Sequence, residues 1–507
     1  MAAADRLADL SDGLLVSIIS FLPVKDAACT SALSRRWRPL WLRTDTLNLD
    51  SRSYGSGLSD LHYTRYAYRG LDAFELKDRL FSDAVAALRA AGRRRVRKLS
   101  LFVKGPNDAY CHGVMSVSIS MHRWARSDDT YDLLAALLAL EELQRIEELH
   151  LGSNCHGGGS ATTVLLPRLA VLRLRKCSSP MKDLEDFIRA APSLRSLHIH
   201  GQDFYSYPDT NGDSFRLHCP SVATVSLGLG LATTKAIELD TPCLRNFKYD
   251  GVLVDFSMKS PAPELAQVEL AITRMPCRYK YKESEKPWFG DFWRIIRNFQ
   301  HAKILKLKVP NIHGIAVTND VEHEHLVMLL SLERLELEGP CYPGRRNDAA
   351  TAIANLLRCC PMIQDLQIRI ANQNFNRGVT EDEALPDFDV SMDLFERRYT
   401  KEITAMINGD ASHSLDVPEI PELSGCEFNC LRNHLKNAKL EFEFKEMNSF
   451  EVSLAKFLAK NCMAAAVVQI VDGNRNYLSH INWIVEKWRA NAAQQRKHTL
   501  EHDSAEL

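Results

Sequence analysis

A chain of 507 residues is too long for one ordinary compact core and calls for several domains or an extended repeat array. Its apolar fraction of 45% and charged fraction of 25% are those of a soluble globular protein. Lys and Arg number 63 against 64 Asp and Glu, a net charge of −1, so nothing general points to phosphate binding or to nucleic acid as a partner.

The first residues, 1–9, lead into no apolar signal region, and the longest unbroken apolar run, 133–140, is far short of a membrane span. The chain is therefore expected to be cytoplasmic and/or nuclear, with no membrane partner. Its 13 cysteines are scattered, with no Cys-x-x-Cys, and read as buried free thiols in a reducing compartment.

Taken in chain order, the first elements are helical. Leu14, Leu15, Ile18, Ile19 and Leu22 follow Asp12 at offsets that gather on one helical face. Ser11 or Asp12 caps the start, and Pro23 stops the helix. A second short helix is expected over 25–33 and a third over 34–41, with Trp37, Leu40 and Trp41 on one side. Leu47-Asn48-Leu49 then reads as a strand. Helices this small cannot bury so much apolar surface among themselves. They either cap a repeat array or dock on a partner, and periodicity alone leaves both open.

Beyond a connector at 51–95, the pattern apolar-x-x-apolar-x-apolar recurs at 96–101, 146–151, 169–174, 194–199, 222–227, 244–249, 265–270, 332–337 and 363–368. Six copies open with Pro-x-apolar, led by Pro167, Pro192, Pro220, Pro242, Pro263 and Pro361. The first five of these prolines stand 25, 28, 22 and 21 residues apart, in or near the leucine-rich-repeat period of about 20–29 residues. Proline cannot donate to a strand ladder, so it sits just before the strand. In the strand that follows, Leu197 and Ile199 point inward while Arg195, Ser196 and His198 face the other way. Such short strands hold only when stacked in parallel. The fold class expected is α/β: a leucine-rich-repeat solenoid, with a curved parallel sheet, helices such as 182–188 on the convex side, and a concave face suited to a protein partner.

Two gaps exceed one period. The second holds Tyr279-Lys280-Tyr281-Lys282 and an aromatic run from Trp288 to Trp293. Residues 371–425, with Glu381-Asp382-Glu383, match no repeat and are expected to be an irregular insertion. Over 426–489, a strand at Leu440-Glu441-Phe442-Glu443-Phe444 precedes a helix with Leu454, Phe457 and Leu458 inward. Leu478, Ile481, Val485 and Trp488 suggest a closing amphipathic helix, before a polar tail at 490–507.

The stretch Leu10-Ser11-Asp12-Gly13-Leu14-Leu15-Val16-Ser17-Ile18-Ile19-Ser20-Phe21-Leu22-Pro23-Val24-Lys25-Asp26-Ala27 closely resembles the F-box. Thr30-Ser31-Ala32-Leu33-Ser34-Arg35-Arg36-Trp37-Arg38-Pro39-Leu40-Trp41 resembles the form common in plant F-box proteins. Ser11 stands where the family usually has proline, and Gly13 where an acidic residue is usual. Together with the repeats and Leu440–Phe444 followed by Phe450–Asn461, the chain is similar to plant F-box/LRR/FBD-type proteins. The resemblance implies a small three-helix F-box over 5–50, repeats over 96–370 and an FBD-like repeat and cap over 426–489. It implies a non-enzymatic substrate adaptor of an SCF-type E3 ubiquitin ligase, without cofactors. The F-box would bind a Skp-type linker, and through it a cullin, with Leu10, Leu14, Leu15, Ile18, Leu22, Pro23, Leu33, Trp37 and Trp41 as candidate contacts. The repeats would hold a target protein that the sequence does not name. Two alternatives share this scaffold: a small-molecule-sensing receptor, and an LRR interaction scaffold outside any ligase.

Catalytic motifs are missing: there is no nucleophile elbow, P-loop or His-Glu-x-x-His. Gly157-Gly158-Gly159 reads as a loop, His323-Glu324-His325 as a surface pair, and the basic run 92–98 as a solvated loop and strand start. Cys426, Cys430 and His434 share one helical face, a spacing open to zinc with a fourth ligand, and are read as core thiols. Arg173, Arg195, Arg245 and Lys248 lie in or near strands and are read as solvated charges.

Overall fold

The computed structural model describes residues 7, 9–50, 53, 71–91, 96–102, 147–152, 166–175, 181–202, 214–229, 236–274, 288–318, 324–371, 417–442, 450–463, 466–472, 485–486 and 488–494. The sequence features at 279–282, 157–159, 381–383, His323, Glu443, Phe444, Leu478 and Ile481 lie outside the described residues, as do 92–95 and nearly all of 51–70. The chain divides into two compact units, Met1–Val268 and Glu269–Leu507.

The first unit opens with α1 (Asp12–Ile19) and α2 (Val24–Cys29), followed by 3-10 turns at Thr30–Ala32 and Trp41–Arg43. Residues 35–40 form turns rather than the third helix expected over 34–41. Pro39 disfavours helical geometry at Arg38 and removes a backbone donor. Strand β1 (Thr46–Asp50) leads to a long helix α3 (Leu71–Ala91), which buries Leu80, Ala84, Ala87 and Leu88 on one face.

The sheet strands follow as β2 (Lys98–Phe102), β3 (Glu148–Gly152), β4 (Val171–Arg175) and, after helix α4 (Met181–Arg189), β5 (Ser196–Gln202). Next come β6 (Ser214–His218), β7 (Thr224–Leu229), β8 (Ala236–Asp240), β9 (Asn246–Val252) and β10 (Asp255–Met258). Strands β1, β2, β3, β4, β5, β7 and β9 pair in parallel in that order. The register lines up Leu47, Leu99, Leu149, Leu172, Leu197, Val225 and Phe247 as one buried row.

The five proline-led repeats of the first unit enter their strands through the same turn. The backbone N–H of Leu169, Leu194, Val222, Leu244 and Leu265 donates to the carbonyl three residues earlier, at 3.1–3.3 Å. The repeat prolines thus occupy the second position of a β-turn, where their fixed φ fits and no donor is needed. Ser193 and Ser221 donate across to the carbonyls of Pro167 and Pro192 at 2.6 and 2.7 Å, stitching one turn to the one before.

The convex side departs from the expectation of helices throughout. Among the described residues only α4 is of that kind between β4 and β9; β6, β8 and β10 instead make a second parallel sheet in the order β10-β8-β6. Phe215, Ile237 and Phe256 share one row of it. Phe256 packs edge-on against Phe247 at 5.7 Å and Tyr249 at 4.9 Å, which joins the two sheets into one core. The reason is local: Phe215/Leu217 and Ile237/Leu239 alternate at period two, which suits a strand and not a helix.

The boundary between the units falls within β11 (Gln267–Arg274). The second unit continues with α5 (Phe289–Ile296), β12 (Ile304–Lys308), β13 (Arg334–Pro340), α6 (Arg346–Cys359) and β14 (Asp365–Ala371). It ends with short α7 (Pro421–Ser424) and α8 (Asn429–Asn433), then β15 (Asn437–Phe442), α9 (Phe450–Asn461) and β16 (Val467–Asp472). Strands β12 to β16 pair in parallel in chain order. The C-terminal repeat therefore carries a strand on each side of α9. Leu454, Phe457 and Leu458 are buried as expected, and Val485 is buried. No helix among the described residues is long and apolar enough to cross a membrane.

Candidate docking surfaces

The N-terminal helices have a small core of their own. Leu15, Ile19, Ala27 and Leu40 are buried together, with Leu10, Val16, Leu22, Trp37 and Trp41 partly buried against them. The Ser11 hydroxyl accepts the Leu14 N–H at 3.4 Å and caps α1, so serine serves as the opening residue here. Asp12 holds Arg36 at 2.9 Å and Arg43 at 3.3 Å, and the Arg36 guanidinium also donates to the Leu10 carbonyl. These pairs are half exposed, worth at most about 1 kcal/mol each. Their effect is positional: they pin the 35–43 turns to the start of α1.

The nine candidate contacts divide into two groups. Leu15 is fully buried, and Leu10, Leu22, Trp37 and Trp41 pack against the same core, with Pro23 half-buried. Leu14, Ile18 and Leu33 face solvent, 55, 44 and 65% exposed. The apolar face of α1 is thus two stripes, Leu15/Ile19 inward and Leu14/Ile18 outward, one residue and so about 100° apart. Phe21 was missed by the sequence reading. It is 80% exposed and continues the outward stripe at 14, 18 and 21, a spacing that was available in the sequence. Leu7 is also exposed.

This surface is mounted on the sheet. The Asn48 amide on β1 donates to the carbonyls of Ser20 at 2.7 Å and Leu22 at 3.1 Å, satisfying the C-cap of α1 and the turn that follows it.

The second surface is the polar face of the parallel sheet. In the first unit, one register row runs His150, Arg173, His198, Ser226, Lys248, and the next Gly152, Arg175, His200, Gly228, Asp250. Arg173 and Lys248 therefore lie in one row of one face, with His198 and Ser226 between them. Arg195 and Arg245 lie in the entry turns instead, and Arg245 pairs with Glu264 at 2.5 Å. Burial, reinforced by Lys98, Arg173 and His198, holds the His150 imidazole down at about 4. Burial with Arg173 and His200 does the same for His198, at about 4, and His200 is lowered by burial, Lys248 and Arg175.

The remaining candidates find structural partners. Cys426 accepts from Arg358 at 2.7 Å, and buried Cys430 donates to the Leu357 carbonyl at 3.4 Å. Burial pushes Cys430 up to about 11, which keeps it a thiol. Among the described residues Cys426, Cys430 and His434 do not gather into a metal-ligating group. His325 packs edge-on against Phe289 at 5.8 Å. Of the basic run, Arg97 pairs with Asp45 at 3.4 Å and Glu147 at 3.2 Å, and Lys98 with Glu148 at 3.9 Å.

A family model for the F-box domain matches residues 7–47. A second, for the LRR repeats of FBD-associated F-box protein At5g56370, matches residues 109–262. The chain is 22% identical over 419 residues to the Arabidopsis thaliana F-box/FBD/LRR-repeat protein At5g22660, covering 75% of this chain and 80% of that one. It is 43% identical over 285 residues to F-box/FBD/LRR-repeat protein At4g26340 of the same plant, covering 53 and 61%. FBD-associated F-box protein At3g52670, also from Arabidopsis thaliana, is 26% identical over 269 residues, covering 52 and 58%. The last two matches thus span less than two thirds of those relatives.

Proposed function

We propose that this chain, which matches the F-box domain over residues 7–47 and FBD-associated leucine-rich repeats over residues 109–262, is the substrate-recognition subunit of an SCF-type E3 ubiquitin ligase. The F-box docks on a Skp-type linker, which joins it to a cullin, and the repeat sheet holds the protein to be modified. The chain contributes no catalytic residue of its own, and it works in the cytoplasm and/or nucleus.

One observation carries the docking half: Leu14, Ile18, Phe21 and Leu33 are exposed on a segment whose own core is already closed by Leu15, Ile19, Ala27 and Leu40. Apolar side chains that a small core does not use favour burial against another polypeptide. In this reading Leu14, Ile18 and Leu33 of the nine candidates, with Phe21 added, meet the linker. Leu10, Leu15, Leu22, Trp37 and Trp41, with half-buried Pro23, then serve mainly to hold the F-box together.

Co-expression with a tagged Skp-type linker and cullin tests the reading. The chain is expected to co-purify with both, and a Leu14→Asp, Phe21→Asp variant to be lost from the complex while remaining folded. Absence of wild-type co-purification, or its persistence in the double variant, refutes it.

A further inference from the structure

The entry turns of the two units carry different side chains on their outer edge. In the five turns of the first unit the second position is proline, and the third is Arg168, Ser193, Ser221, Cys243 or Glu264, none of them large and apolar. In the second unit the same turn recurs ahead of β12, β13 and β14, where the N–H of Ala302, Leu332 and Ile363 donates to the carbonyl three residues earlier at 3.1–3.4 Å. Leu330 now stands at the proline position, and Met362 at the serine position of the next turn. They are 64 and 44% exposed, and Met328 beside them is 50% exposed.

These three side chains form one ridge. Arg334 of β13 lies opposite Asp365 of β14, so the matching turns put Leu330 next to Pro361, about 4.8 Å away. Met362 follows at the position from which Ser221 reaches the Pro192 carbonyl in the first unit, so its side chain leaves the turn toward Leu330. The Leu329 N–H donates to the Cys359 carbonyl at 2.7 Å, which ties the 328–330 run to the end of α6. Neither residue helps its turn. Leucine gives up the fixed φ of proline, and methionine gives up the stitch to the neighbouring carbonyl. Apolar side chains set in water where the fold itself favours proline and a hydroxyl mark a contact with something else.

The ridge is flanked by two cations whose hydrogen-bonding partners are neutral. Arg358, one residue before Cys359, donates to the Cys426 sulfur at 2.7 Å. Lys436, at the entry to β15, donates to Gln364 Oε1 at 2.8 Å, two residues beyond Met362. The carboxylates close by are engaged elsewhere, Glu333 with Lys303 at 3.7 Å and Asp365 with the Asn437 amide at 2.5 Å.

We propose that this edge docks a short acidic and apolar segment of another protein, whose Leu or Phe side chains cover Met328, Leu330 and Met362 and whose flanking carboxylates meet Arg358 and Lys436. Methionine suits the task, because its flexible, polarisable side chain adapts to the shape laid on it. A second copy of the chain fits less well. Three half-exposed side chains fall short of the roughly 800 Å² per partner that a stable interface buries. Two such ridges face to face would also bring like charges together. The inference stands apart from the adaptor reading, since the ridge belongs to the second unit and the F-box to the first.

The test is fluorescence anisotropy on the full chain with short labelled peptides that carry Leu or Phe between Glu residues. Control peptides replace the apolar residues by Ala, or the glutamates by Lys. At least one acidic and apolar peptide is expected to bind, and its controls to bind about tenfold or more weakly. Leu330→Pro with Met362→Ser restores the turn of the first unit and so preserves the fold; it is expected to weaken binding about tenfold or more. Lys436→Glu, beside the ridge, is an independent second variant with an expected loss of about fivefold at low salt. Leu14→Asp in the F-box is the unaffected control. The inference is overturned if no peptide binds better than its controls, or if Leu330→Pro with Met362→Ser binds like the wild type. A wild-type dimer in sedimentation that this variant dissolves would overturn it as well, in favour of a second copy. Linker co-purification scored on the same preparations lets the two readings fail separately: peptide binding without linker sinks the adaptor alone, and linker without peptide sinks this surface alone.

Discussion

Replacing Leu14 separates docking from folding. The side chain is 55% exposed, so truncation to alanine removes little from the fold, within about 0.5 kcal/mol for a surface change. Full burial of a large aliphatic side chain is worth roughly 1.5–3 kcal/mol, so covering the exposed half of Leu14 contributes about 1–1.5 kcal/mol. Leu14→Ala should therefore weaken linker binding about five- to twelvefold. Leu14→Asp goes further, because a carboxylate would be buried without a partner at a cost of several kcal/mol, and a loss of ~100-fold or more is expected. The four exposed side chains Leu14, Ile18, Phe21 and Leu33 carry about two and a half side chains of free apolar surface, roughly 4–7 kcal/mol in all. Association costs about 4–15 kcal/mol, so the patch is marginal and each member should be felt. The assay is titration calorimetry with purified linker, paired with thermal melting. Leu15→Ala is the contrast: Leu15 is fully buried, so about 2–5 kcal/mol of F-box stability should be lost. If Leu14→Asp binds linker with wild-type affinity, or Leu14 and Leu15 variants behave alike in both measurements, the division into outward and inward stripes is wrong.

Gly314→Ala should lower the melting temperature, since its Cβ would fall 2.0 Å from the buried Trp288 indole nitrogen and 2.4 Å from Asn311 Oδ1; overpacking of this kind costs about 1–3 kcal/mol. Asn48→Ala should destabilise the junction of α1 with β1 by about 1–3 kcal/mol, because it strips the amide from two carbonyls, and faster hydrogen exchange over 14–22 would report it. Acidification should destabilise the first unit. His150 and His198 titrate at about 4 when folded and about 6.5 when unfolded, so between those values the unfolded chain binds more protons and stability falls as pH falls. Urea midpoints across that window measure the slope, which His198→Gln should reduce; an unchanged slope would contradict the assignment.

The repeat strands were legible because two independent signals coincide, the apolar spacing and the proline that opens each entry turn. The turn bonds at Leu194, Val222, Leu244 and Leu265 are what that proline register encodes. Strands β6, β8 and β10 were not read, although Phe215/Leu217 and Ile237/Leu239 alternate plainly. They carry no proline leader, and the helical spacing of 182–188 invited extension to every repeat. The third N-terminal helix failed on Pro39, whose effect on its predecessor outweighs the one-sided placing of Trp37, Leu40 and Trp41. At the docking site the residue types were legible and their roles were not. Leu14 and Leu15 differ by one residue along the same helix, and which stripe turns inward is decided by Ala27 and Leu40, which arrive from elsewhere in the chain. The row His150, Arg173, His198 and Lys248 was hidden for the same reason, since it forms only when the register is known.

If the chain is the adaptor proposed above, mounting matters as much as composition. Within the first unit, α1 is not hung on a free linker: its C-cap carbonyl and that of Leu22 are held by Asn48 of β1, and Lys25 of α2 donates to the Ser53 carbonyl at 3.3 Å. β1 is in turn the first strand of the ladder that runs to β9. A flexible tether would only raise the local concentration of a bound partner. Hydrogen bonds from the docking segment to the ladder instead fix the direction in which the repeats present whatever they hold, which is the property that transfer to a defined lysine requires.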